Sequence, residues 1–173
     1  RDRSTAQQSA LAVAGHKSAR KDLTPEDNAY LHRRFFRPEP RLAFADLARN
    51  LMSSAIDVSD GLHADAGHLA KASAVRLRIN LDQLPFSQSV LRLTSEAERV
   101  NAALYGGDDY ELCFTAETAY RGQIDAVAAS AGLRVTEIGE VEHGSGISLF
   151  DRGVAAPANH QRGFDHFSRV ETR

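Results

Sequence analysis

The sequence is poor in several things, and each shortage closes off a class of function. One cysteine in 173 residues, Cys113, rules out an internal disulfide framework and a multi-cysteine zinc site. It sits in an alternating apolar run, so the thiol reads as buried and inert rather than nucleophilic. Neither sign of charge is in excess: Lys+Arg is 21, Asp+Glu is 23 and the net charge is -2. That balance gives no footing for a nucleic-acid or membrane surface. No run reaches the ~20 apolar residues of a membrane-spanning helix. The polar start RDRSTAQQS is not a secretory leader, and the cytoplasm is the expected compartment. The P-loop pattern G-x-x-x-x-G-K-[ST] and the dinucleotide fingerprint G-x-G-x-x-G are missing, as is the nucleophile elbow G-x-S-x-G. His63 and His68 do not share a helix face, and the remaining histidines are scattered, so no histidine metal site is expected. There is no initiator methionine, and the chain is expected to be a domain of a longer protein.

What remains is ordinary globular composition, 42% hydrophobic and 25% charged, in a chain long enough for one good-sized domain. Residues Ser4 to Ala14 suggest a helix, followed by a polar connector from His16 to Asp22. Thr24 as cap, Pro25 at the first position, then Glu26 and Asp27 start a second helix. The prolines of Arg37 to Arg41 end it, and Leu42 to Leu51 is a third. Ala55 to Val58 reads as a short strand leading into a helix from about Asp60 to Ser73, with Leu62, Ala66, Leu69 and Ala70 on one face. Leu77, Ile79 and Leu81 alternate with polar residues, a strand with one wet face. LPFSQSV reads as a turn, Thr94 to Ala103 as a helix, and Tyr110 to Thr115 as a strand. Glu117 to Ala131 is a helix stopped by Gly132. Val135 to Ile138 and Ile147 to Phe150 are strands, and Asp151 to Gly153 is a turn. Residues after that form a polar tail, apart from GFDHF at Gly163 to Phe167. The alternation predicts an α/β layer fold, helices packed on a mixed sheet, with a split β-α-β arrangement over Ala55 to Ile138.

Two acid clusters stand out. In SSAIDVSDGLHADAGHL, Asp57 and Asp60 flank Ser59 at a strand-to-helix junction. Ser59 or Asp60 can cap the helix, and Gly61 lets the backbone bend or approach a ligand. A cap does not need Asp57. Two carboxylates three residues apart can instead converge on a hard cation such as Mg²⁺, with neighbouring N–H groups taking a phosphate. Chemistry alone leaves a metal-phosphate site and plain capping both open. In LYGGDDYELCF, Asp108, Asp109 and Glu111 crowd the start of a strand. They are either turn acids, or acceptors for a ligand hydroxyl or amine, or outer carboxylates of a metal site.

Taken in order and spacing, SSAIDVSDGLHADAGHLAKAS, DQLPFS, LYGGDDYELCFT and GFDHF resemble the thiamine-monophosphate kinase family. The proline-rich segment at Arg37 to Arg41 also fits. The acid-glycine junction is similar across the wider superfamily of aminoimidazole-ribotide-synthetase-like ATP enzymes; GGDDYEL and the aromatic tail narrow it. The resemblance implies an α+β C-terminal domain in α/β/α layers, partly ferredoxin-like, occupying 1–173, with 1–22 partly linker-like and 158–173 an aromatic tail. An N-terminal domain that binds ATP and metal and dimerises would be absent. It further implies ATP and Mg²⁺, thiamine monophosphate as acceptor, and a homodimeric full-length enzyme. Asp57 and Asp60 would ligate Mg²⁺, Ser59 would contact ATP, Asp108 would bind substrate, and Phe167 (or Phe164) would meet the substrate ring. The alternatives are a sister enzyme of the superfamily, which GGDDYEL argues against, and a non-catalytic nucleotide-binding module.

Overall fold

A computed structural model describes residues 23–156. The expected helix at Ser4 to Ala14, the connector after it, and the tail carrying Phe164 and Phe167 lie outside the described residues.

Helix α1, Pro25–Phe36, begins as its sequence dictates. Thr24 is the N-cap, its Oγ1 accepting from the Asp27 N–H at 3.1 Å, with Pro25 in the first turn. Helix α2, Leu42–Ala48, runs on as a 3-10 turn, Arg49–Leu51. Strand β1 is Ser54–Val58, α3 is Leu62–Ala72 and β2 is Arg76–Asn80. Burial on α3 falls on Leu62, Asp65, Ala66, Leu69 and Ala70, the predicted apolar stripe plus one carboxylate. The stretch read as a turn contains a short helix, α4, Gln88–Leu93. Ser87 caps it, its Oγ accepting from the Val90 N–H at 3.3 Å. Thr94 ends α4 rather than starting the next helix. Helix α5, Glu96–Tyr105, opens on a Ser95/Glu98 capping box, and S-E-A-E spells that signature in sequence. Then come β3, Glu111–Thr115, α6, Arg121–Ser130, and three strands: β4, Gly139–Glu142, β5, Gly146–Asp151, and β6, Val154–Ala156.

The fold is α+β, with a mixed sheet in the order β4, β2, β5, β6; β2 runs parallel to β5 and antiparallel to β4. The expected β-α-β unit is not formed within one sheet. β1 leaves β2 and pairs antiparallel with β3 in a separate two-stranded ribbon. Each face of that ribbon serves a different core. Ile56, Val58 and Cys113 pack with α3 in a cluster containing Leu69, Leu77, Ile79, Leu104 and Leu149. Leu112 and Phe114 turn the other way, onto Phe44, Ala48, Ile124 and Ala128. Val135 to Ile138 is not a strand, because its apolar side chains bridge these cores. Leu133 and Val135 join the second cluster and Ile138 the first, and the ladder with β2 starts at Gly139, preceded by one hydrogen bond from the Asn80 N–H to the Ile138 carbonyl at 2.8 Å. Tyr110 is not a strand residue either. It lies at φ 52° with its ring exposed.

Candidate functional site

Antiparallel pairing puts the end of β1 beside the start of β3, with Val58 opposite Glu111. The two acid clusters are therefore neighbours. The Asp108 N–H donates to the Ser59 carbonyl and the Tyr110 N–H to the Val58 carbonyl, both at 2.8 Å. Glycines permit this closeness. A Cβ on Gly107 would stand 2.5 Å from the Ser59 oxygen, and one on Gly61, at φ 100°, 2.8 Å from the Leu104 oxygen. Both are below any real Cβ contact, and Gly61 has in addition a backbone that side chains disfavour.

The capping reading of this junction is overturned. Gly61 is the N-cap of α3 and no side chain caps it. The Ser59 and Asp60 N–H groups instead both donate to Asp65 Oδ2 at 2.9 Å. A carboxylate from the first turn of the helix thus reaches back and fixes the loop. Asp65 thereby occupies two of the junction's N–H groups, which the expected phosphate contact cannot use. Of the side chains at this junction, Asp57 is exposed and Ser59 and Asp60 are half-buried. Asp65 is buried, and burial raises its pKa. The two N–H bonds oppose that rise, while the nearby charges of Asp60 and Asp57 add to it. Among the described residues no group of three or more His, Cys, Asp or Glu side chains is arranged to hold a metal ion. Mg²⁺ takes one or two carboxylates, with waters and phosphate oxygens filling the rest, and Asp57 and Asp60 are the residues of this loop that would hold it.

The second cluster separates into three different acids. Asp108 is exposed, at φ 64°, with the Tyr110 hydroxyl donating to its Oδ1 at 3.4 Å. Asp109 is buried. Glu111 is buried and takes two arginines: Arg41 through Nε to Oε2 at 2.8 Å and Nη2 to Oε1 at 2.7 Å, and Arg34 to Oε1. Glu111 is thus committed within the fold, whereas Asp108 faces outward. Below the ribbon, burial and then the Asp65 charge push the Cys113 thiol up to about 11, so it is inert at neutral pH as expected. His63 stacks against Tyr105 at 5.5 Å between centroids, and burial lowers its pKa.

The sequence reading missed Asp65, Arg34 and Arg41. Asp65 carried a signal, because it falls three residues after Leu62 on the apolar face of α3. The arginines carried none; their contact with Glu111 spans 77 and 70 residues.

The family of AIR synthase related protein, C-terminal domain, matches residues 5–152. The chain belongs to it. Within this family the chain is 37% identical over 143 residues to a thiamine-monophosphate kinase of Salmonella typhimurium, covering 82% of this chain and 44% of that protein. In structure it is similar to a thiamine-monophosphate kinase of Stenotrophomonas maltophilia, with TM-score 0.79 and 35% identity, over 88% of this chain and 49% of the other. It is also similar to AaThiL complexed with AMPPCP and TMP, with TM-score 0.72 and 28% identity, over 96% and 50% of the two chains. The chain thus spans less than half the length of the curated relative named here. No helix among the described residues is long and apolar enough to cross a membrane.

Proposed function

We propose that this chain forms one wall of the active site of an enzyme that phosphorylates thiamine monophosphate with ATP, giving thiamine diphosphate. The observation that carries this reading is the hydrogen-bonded union of the Asp57–Gly61 and Gly106–Tyr110 loops. It joins a candidate metal pair to a candidate substrate acid. The relatives' names and the AMPPCP and TMP bound by AaThiL support the choice of substrates.

In this reading Asp57 and Asp60 hold Mg²⁺, and Ser59 contacts ATP through its hydroxyl. Asp108 binds the substrate, and Phe167 or Phe164 lines its ring. Mg²⁺ would neutralise phosphate charge as the γ-phosphoryl group is transferred. The acceptor phosphate is already ionised, so no strong general base is required. The protein's task is to bring two anions together and hold them in line. An N-terminal domain that supplies the rest of the ATP and metal site, a cytoplasmic location and a homodimeric full-length enzyme complete the proposal. Alone, this chain would bind ATP and Mg²⁺ weakly and would not turn over.

The test is Asp57→Asn in the full-length enzyme containing this chain. Activity should fall about a hundredfold at ordinary Mg²⁺ and recover in part as Mg²⁺ is raised, the pattern of a weakened ligand set. Asp57 is exposed, so the melting temperature should stay close to that of the parent. An unchanged rate would remove Asp57 from the metal site. A parent enzyme that turns over a sister superfamily substrate, and not thiamine monophosphate, would overturn the whole reading.

A further inference from the structure

Glu111 opens β3 with only 8% of its surface exposed. One counter-charge would satisfy a buried carboxylate, yet two guanidiniums meet it, and their side chains are themselves only 10% and 12% exposed. Arg41 also lies 3.7 Å from the exposed Glu39 carboxylate, which offsets part of the second charge, but two buried guanidiniums on one buried carboxylate are still more than charge pairing requires. The second arginine adds geometry. Arg41 grips both Glu111 oxygens as a fork, which fixes the plane of the carboxyl group and with it the first residue of β3. Directly upstream lies the turn Gly106–Tyr110, in which Asp108 and Tyr110 both hold left-handed backbones. Such conformations cost of order 1–3 kcal/mol each and persist only where the surroundings over-determine them. Arg41 comes from the proline-bounded segment Arg37–Arg41, and Arg34 from α1, neither of which the proposed chemistry otherwise uses.

We infer that Arg41, assisted by Arg34, is a positioning residue that sets the conformation of the Gly106–Tyr110 turn through Glu111 and so aims the Asp108 carboxylate. Its effect on substrate rests on the reading of Asp108 given above; its effect on the turn does not.

The variants are made in the full-length enzyme. Arg41→Gln leaves a neutral Arg34–Glu111 pair and should fold, whereas Glu111→Gln would leave two buried guanidiniums facing each other. In Arg41→Gln, hydrogen exchange in the peptide containing the Asp108 and Tyr110 amides should accelerate about tenfold, the scale of one lost charged hydrogen bond. Exchange in β2 and β5 should not change. KM for thiamine monophosphate should rise about tenfold while KM for ATP stays within about twofold. Arg41→Lys keeps the charge but not the fork, and should recover only part of both effects. Unchanged exchange at the turn overturns the inference. Accelerated exchange with both KM values unmoved supports the clamp and overturns the substrate role of Asp108 instead. If Arg41→Gln does not fold, Arg34→Gln, which also leaves a one-to-one pair, is read the same way. Failure of both to fold makes the cluster purely structural and overturns the inference.

Discussion

Asp108 combines an exposed carboxylate with a left-handed backbone, a pairing that stability alone would not favour. Glycine removes the conformational penalty at such a site. Asp108→Gly should therefore stabilise the protein by about 0.5–1 kcal/mol in urea unfolding, after the extra entropy of the unfolded glycine is counted. On the proposed reading of the site, the same change should raise KM for thiamine monophosphate in the full-length enzyme. A residue that only closed a turn would show the gain without the loss. At this scale the sequence pointed to candidate residues and was silent about their environment. Asp57, Asp60 and Asp108 could be singled out because like charges beside glycine have few ordinary uses. That Asp65 would occupy the Ser59 and Asp60 N–H groups, or that Glu111 would vanish between two arginines, depends on side-chain directions that only the packed fold defines.

Among the elements, α1 was the most legible, because its signals are local: a threonine cap, a proline and two acids in consecutive positions. One of those acids has a second role that no local rule contains. Asp27 is 2% exposed and pairs with Arg92 on α4. Burial pushes its pKa up, but hydrogen bonds from Ser89 and Thr24 and the charge and hydrogen bond of Arg92 outweigh this and hold the carboxyl below its ordinary value of 3.8. A carboxyl that is more acidic in the folded chain than in the unfolded one lends stability above the unfolded value. That stability is lost as pH falls through the folded one. Acid titration of the chain should therefore show stability declining below about pH 4, and Asp27→Asn should flatten that decline. An identical acid profile in the variant would exclude the pair as a contributor. Helix α4, by contrast, went unread, since six residues carry too little periodicity to compete with a proline-serine turn pattern. Strands β1 and β3 were both legible as strands. Their pairing was not, because five-residue alternating segments do not encode their partner.

At the scale of the molecule, two hydrophobic clusters share one wall. Leu69 lies in the first and Ile124 in the second, with 5% and 6% exposure. Truncating either to alanine should cost about 2–5 kcal/mol. Because the ribbon contributes side chains to both clusters, urea unfolding should remain a single transition in each variant, coincident by circular dichroism and tyrosine fluorescence. Two separated transitions would mean that the cores melt independently. The same wall governs how the acid loops can be misaligned. Sliding β1 by one residue along a fixed β3 would turn both Ile56 and Val58 out of the first core, while Leu112 and Phe114 stayed in the second. The next register that restores the facing, two residues away, would carry Asp60 about 7 Å from its place beside Asp108. Alignment of Asp57 and Asp60 with Asp108 is accordingly quantised: it is held whole or lost by a full pleat, with no small error available between.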